Sequence, residues 1–324
     1  MDPTTSAGYS EPEYQHFIPQ FMLRNFSHQY VGSKKQKGKK KGNRMYTGEP
    51  VVHSVNLKVD PVAIEETKVS RILGQLNMYQ DTSQAPAQQR QIETMFSKIE
   101  SYTSTIFRKI SKAFKAGNQG VWVTRDERNT LRKFLFLLKY RGLGFHRRFY
   151  HETQDGYEAN DKKLLNAYML EKGFQRPIDV WFHNIKIIIG LEMDPEGQWM
   201  KTLPEQMYSH DAMWFINHTQ MMYMAICTPS EPRDEFILTG NSYNVFEGPN
   251  TFTTDPETGK VEETGWSNLH EFAPLSPRLM IVLRSYILPV PEEDGSQRIK
   301  EQREKFRVAA VDNFYGASQE SILV

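Results

Sequence analysis

The chain has 324 residues, of which 40 are Lys or Arg and 39 Asp or Glu, for a formal charge of +1. A hydrophobic fraction of 39% with 12% aromatic excludes a disordered chain and is enough to fill one large or two ordinary cores. The single Cys227 excludes an internal disulfide framework and a multi-cysteine zinc or iron–sulfur centre.

The near-zero charge conceals an asymmetry. Lys34, Lys35, Lys37, Lys39, Lys40, Lys41 and Arg44 fall in one run of eleven residues, leaving 33 basic against 39 acidic residues elsewhere, a net of −6. The first thirty residues carry no apolar stretch behind a basic start, and nowhere do about eighteen apolar residues run together. An intracellular chain without a membrane partner is therefore expected, in the cytoplasm or nucleus.

In chain order, residues 1–13 are small, polar and proline-bearing and predict a disordered arm. Pro19 suits a helix's first turn, where its missing N–H would be unpaired anyway, and predicts a short helix over 19–26. The basic run at 33–44 predicts a loop insertion too charged to fold against a core. Val55, Leu57 and Val59 alternate with polar residues as a half-buried strand does, and Thr47-Gly48-Glu49-Pro50 predicts a hairpin turn before it.

The middle is helical. From Ile92 to Phe114 apolar residues step by three and four, predicting a long amphipathic helix that ends near Gly117. Thr124-Arg125-Asp126-Glu127 has capping-box spacing and predicts a second long helix running to Phe149 and packed antiparallel on the first. Further helices are expected over 161–171, 178–191 and 203–227, the last broken near Ser209. Phe236 to Thr239 predicts a buried strand, Arg278 to Leu288 another, the polar stretch between them an exposed loop, and 297–318 a closing helix. The sum is an α+β fold, mainly helical, in one domain over 14–320 with a small sheet built from sequence-distant strands.

Chemistry-bearing residues are sparse. His16 precedes Pro19 at a helix entrance, where outward N–H groups favour anions, so it is a candidate acid/base or phosphate partner with Arg24 one or two turns on; packing of the helix start is the competing role. His210 and His218 are eight residues apart, about 12 Å along a continuous helix, too far to share a metal. His270-Glu271 lacks the second histidine of a zinc-protease helix. His146 and His151 bracket Arg147-Arg148-Phe149-Tyr150 as a basic, solvated helix end. Neither a glycine-rich phosphate loop nor a G-x-S-x-G elbow occurs. Asn241 and Ser242 follow the expected strand at 236–239, where polar tips commonly meet ligands, although a simple turn uses the same residues. No metal or cofactor is assigned.

Several segments together resemble a family known as domain of unknown function 4238. His16-Phe17-Ile18-Pro19-Gln20-Phe21-Met22-Leu23-Arg24-Asn25-Phe26 looks like the family's opening H-[FY]-[VI]-P-Q-F-x-L-[RK]-x-F. Trp122-Val123-Thr124 through Arg128, Phe134 and Arg141 looks like its central helix. Phe236 to Ser242 resembles its F-[IV]-T-S-D-N-P strand end, Phe272 to Pro277 its P-L-S-P segment, and Val311-Asp312-Asn313 an asparagine-bearing helix. Gly240-Asn241 stands where that pattern carries Asp-Asn, which puts any activity depending on that acid in doubt. The resemblance implies an architecture and candidate ligand contacts at Gln20, Arg24, Arg141, Asn241, Ser242 and Asn313, but no reaction.

Two functional classes remain at this stage. One is a cleft that binds a phosphate-containing or other anionic ligand, with His16 as acid/base and arginines as anion clamps, hydrolysis being left open. The other is a non-enzymatic module whose Lys-rich run contacts nucleic acid, import machinery or another protein. No residue pattern decides whether the chain is an enzyme or fixes its oligomeric state.

Overall fold

Long amphipathic helices and short strands paired across large sequence distances make up the computed structural model, which describes residues 12–32, 44–240, 251–254, 261–265, 270–285 and 301. The fold is α+β, with eight α-helices and sheets of two or three strands among the described residues. It divides into two compact units, Met1–Arg90 and Gln91–Val324.

In the first unit β1 (Tyr14–His16) pairs antiparallel with β5 (Gly74–Leu76), and β2 (His28–Gln29), β3 (Pro50–Val55) and β4 (Ile64–Lys68) form a second antiparallel sheet. The short helix α1 (Gln20–Arg24) follows Pro19 as expected. Its Met22 and Leu23 join Phe17, Ile18, Val51, Val52, Val69, Met78 and Tyr79 in the core. Gly74 is required at its position, because a Cβ there would sit 2.6 Å from the Gln15 carbonyl and the Tyr14 ring. Gly48, at φ +87°, makes the expected turn ahead of β3.

The alternation at Val55, Leu57 and Val59 does not make a half-buried strand: β3 ends at Val55, and Val55, Leu57 and Val59 are all exposed. The buried pair is Val51 and Val52 at the start of β3, so the core lies under the end of the strand nearest the turn.

The second unit is built on α2 (Gln91–Lys115) and α3 (Arg125–Tyr140). Glu100 meets Arg141, the Phe107 and Phe134 rings stand 5.9 Å apart, and Lys109 meets Glu127; rising numbers on α2 against falling ones on α3 confirm antiparallel packing. The capping box forms in both directions, Glu127 N–H to Thr124 Oγ1 at 3.2 Å and Thr124 N–H to Glu127 Oε2 at 2.7 Å. Thr124→Ala should therefore cost about 1 kcal/mol in a denaturant titration; an unchanged midpoint would show that the cap carries no stability.

The second helix does not run on to Phe149. It stops at Tyr140, Gly142 adopts extended backbone, and α4 (Leu143–Phe149) begins a new axis. His146 is buried rather than solvated, and burial, with Arg147 adding to the effect, lowers its imidazole to about 4.

Next come α5 (Lys162–Lys172), α6 (Pro177–Gly190), α7 (Gln198–Gln206) and α8 (Ser209–Gln220), with the break before Ser209 in its expected place. Lys133 of α3 donates to the carbonyls of Ile189 and Leu191 at the α6 C-terminus, at 3.2 and 2.5 Å, where a cation complements the unpaired carbonyls. Burial lowers its ammonium to about 8, against the pull of Glu192.

Residues 222–227 are not the end of a helix but strand β6 (Met222–Cys227). With β7 (Thr251–Thr254) and β8 (Val261–Gly265) paired to each other, β6 joins β10 (Leu279–Ser285) and β9 (His270–Ser276) in the order β6-β10-β9. β10 falls where a strand was expected. The stretch taken as an exposed loop contains β7, β8 and β9, with residues 241–250, 255–260 and 266–269 outside the described ones. Residues 236–239 form no strand: Ile237 is 79% exposed and Phe236 N–H makes one bond, to the Pro277 carbonyl. The β6 run, already apolar and next to α8, takes the sheet position instead. The closing helix over 297–318 and the disordered arm lie outside the described residues, save for Pro12, Glu13 and Glu301. No helix among the described residues is long and apolar enough to cross a membrane.

Candidate functional site

His16 ends β1, half-buried, with its Nε2 3.0 Å from the Val69 carbonyl and its ring edge-on to Tyr14 at 5.2 Å. Arg24 is exposed on α1 and its Nη2 lies 3.4 Å from Gln20 Oε1. Both belong to the first unit. Arg141, in the second, is 1% exposed at the α3 C-terminus; its Nη1 donates to Glu100 Oε1 at 2.7 Å and its guanidinium lies 4.5 Å from the Phe96 ring centre. Among the described residues its Nε and Nη2 find no hydrogen-bond partner. Among the candidates, Gln20 and Arg24 touch each other, while His16 is held by main chain. Asn241, Ser242, Asn313 and Lys34, Lys35, Lys37, Lys39, Lys40 and Lys41 lie outside the described residues; Arg44 is exposed.

A denser constellation forms in the second unit from residues the sequence reading assigned to no ligand site. Asp161 lies just before α5 and accepts three hydrogen bonds, from Arg148 Nη2 of α4 at 2.6 Å, Tyr157 Oη at 2.9 Å and Tyr208 Oη at 2.9 Å. Asp211, in the first turn of α8, accepts from Tyr140 Oη of α3 at 2.6 Å and from Asn184 Nδ2 of α6 at 2.9 Å. His210 lies beside both carboxylates, its Nδ1 3.5 Å from Asp211 Oδ1 and 3.8 Å from Asp161 Oδ2. Five helices thus deliver one cluster: the α3 to α4 break turns Arg148 toward it, and the start of α8 sets His210 and Asp211 side by side.

Its electrostatics follow from burial and partners. Burial raises the phenols of Tyr140, Tyr157 and Tyr208, so they remain hydroxyl donors to the carboxylates. Burial alone would raise the Asp161 carboxyl, but Arg148 and the two tyrosine hydroxyls overcome it and hold the group below the usual carboxylate range. The contact with Asp211 raises the His210 imidazole, against the opposing effect of burial. The charges are also layered: the side chains of Asp161 and Asp211 are 7% and 0% exposed, those of Arg148 and His210 24% and 49%. Among the described residues, His210 Nε2 and Arg148 Nη1 make no hydrogen bond. The arrangement can orient an imidazole, favour its protonated form and present its outer nitrogen to a ligand.

The sequence signal for this cluster was slight: His210-Asp211 at an expected helix start and Asp161 at another. Neither spacing says that the two starts meet.

No curated protein and no solved structure matches the chain. The model of the family described as protein of unknown function (DUF4238) matches residues 14–313, nearly the whole chain, which therefore belongs to that family.

Proposed function

We propose that the chain binds a small phosphate-bearing or similarly anionic ligand beside His210 and Arg148, and that protonated His210 donates to it through Nε2. The layering of charge carries this reading: Arg148 and His210 reach solvent while the carboxylates that favour their charged forms are buried behind them. An oxyanion meeting this surface finds donors first, and charge-assisted donors are the stronger kind. The buried tyrosines and Asn184 keep the carboxylates fixed, so little reorganisation accompanies binding. A general acid of this type would assist departure of an alcohol from a phosphate monoester, which makes hydrolysis the reaction to assay.

The imidazole's titration gives the first measurement. Its pKa in the folded chain lies above the ordinary 6.5, so the stability it contributes is complete below that value and is lost as pH rises through the folded pKa. The NMR midpoint of His210 should exceed 6.5, and Asp211→Asn should lower it. Binding of inorganic phosphate, followed by phosphorus NMR on the full chain, should weaken over the same rise in pH. His210→Gln, at a half-exposed position that need not disturb the core, should weaken phosphate binding about tenfold or more. Release of p-nitrophenol from its phosphate ester reads hydrolysis separately. Equal phosphate affinity in the wild type and His210→Gln would overturn the reading.

A further inference from the structure

We propose that His28, His53 and Glu66 in the first unit form a binding site for a divalent transition-metal ion of the zinc class. The strand register assembles it. His28 stands opposite Val51, and His53 stands opposite Glu66. Residues opposed on antiparallel strands share a face, and so do residues two apart on one strand. His53 follows Val51 by two, so His28, His53 and Glu66 project from one face of the β2-β3-β4 sheet.

The side chains converge as this register requires. His28 Nε2 lies 2.8 Å from Glu66 Oε1, and the two imidazole centres are 4.4 Å apart. One ligand atom from each residue can be chosen so that all lie within 4.8 Å of one another. In a tetrahedral zinc site, with ligand bonds of about 2.0–2.1 Å, neighbouring ligand atoms stand about 3.3 Å apart. Small side-chain rotations close the difference, and His53 and Glu66, exposed, have room to make them. An ion between His28 and Glu66 replaces the hydrogen bond they make.

The donor set selects the ion class. Two imidazole nitrogens with one carboxylate oxygen suit zinc and its neighbours, whereas calcium and magnesium favour oxygen. Lys68, two residues after Glu66 on the same face, has its ammonium engaged by Glu49 at 3.0 Å. Three protein ligands leave a fourth position for water or an incoming group, the arrangement of an open site rather than a closed structural one. Because the ligands come from three strands, ion binding also ties β2 to β4 across β3.

The test uses tag-free full-length protein and zinc alone, by calorimetry, with cobalt(II) absorption reporting tetrahedral coordination. The expected result is a single equivalent bound to the wild type, weakened about tenfold or more by His53→Ala or Glu66→Gln and abolished in the His28→Ala/His53→Ala double variant. His151→Ala, outside the cluster, should bind as the wild type does. His53 and Glu66 are exposed, so their variants remain informative if His28→Ala fails to fold. Absence of zinc binding by the wild type, or equal binding by the wild type and the His53→Ala and Glu66→Gln variants, would overturn the site.

Discussion

Glu271→Gln is expected to destabilise the second unit by about 3–5 kcal/mol, because it strips the carboxylate from an ion pair almost fully removed from water. Lys139 Nζ lies 2.9 Å from Glu271 Oε1, with side chains 3% and 1% exposed. The second carboxylate oxygen faces His218 Nδ1 at 3.3 Å, while His218 Nε2 lies 3.1 Å from the Arg132 carbonyl. Arg132 Nη2 in turn donates to the Met222 carbonyl at 2.9 Å, so the network ties α3 and α8 to both β6 and β9. The variant leaves an ammonium in a low-dielectric interior, 4.9 Å from the Trp214 ring centre. Replacing both members, as Lys139→Met with Glu271→Leu, should recover most of the loss, since neither charge is then stranded. Urea denaturation followed by circular dichroism measures both, and a loss below about 1 kcal/mol for Glu271→Gln would mean that the pair is solvated.

Trp181→Ala should cost a similar amount, about 3–5 kcal/mol, by a different route. The indole is completely buried between Tyr140, Phe182 and His146, and its Nε1 donates to the Tyr140 carbonyl at 3.0 Å. That carbonyl belongs to the last turn of α3, where the helix supplies no partner of its own. Truncation opens a cavity and orphans the helix end together. Trp181→Phe keeps most of the volume and loses the hydrogen bond, so it should cost distinctly less, about 1–2 kcal/mol. If the two variants unfold at the same denaturant concentration, the cavity contributes nothing and the argument fails.

What could be read without coordinates was periodic and local. The α2 stripe needed only its spacing, and Ile92, Phe96, Ile99, Ile106, Phe107 and Ile110 are all buried. The Thr124 cap needed four consecutive residues. Where an apolar pattern continued through a backbone change, the reading failed: Leu138, Phe145 and Phe149 keep helical spacing across Gly142 although the helix axis does not. Short apolar runs were ambiguous in both directions, hiding β6 inside an expected helix and suggesting a strand at 236–239 that does not form.

The sites were less legible than the fold for a related reason. His16 stood out, but its ring partner is the carbonyl of Val69, fifty-three residues later. The His210 cluster takes a side chain from each of several helices, and no single stretch of sequence shows that Asp161 and Asp211 come together. The His28, His53 and Glu66 group depends on strand register across two pairings, which a sequence pattern specifies only after the partners are known.

The pairing of β1 with β5 has a consequence for synthesis on the ribosome. Tyr14 Oη accepts from Gly74 N–H and Gln15 Oε1 from Tyr79 N–H, spans of 60 and 64 residues. The N-terminal segment therefore emerges long before the chain that completes its strand. At translation rates of about 5–20 residues per second it waits roughly 3–13 s, plus passage of residues 74–79 through the exit tunnel. Throughout that interval Phe17, Ile18, Met22 and Leu23 lack their later core partners, and this apolar stretch is open to a nascent-chain chaperone.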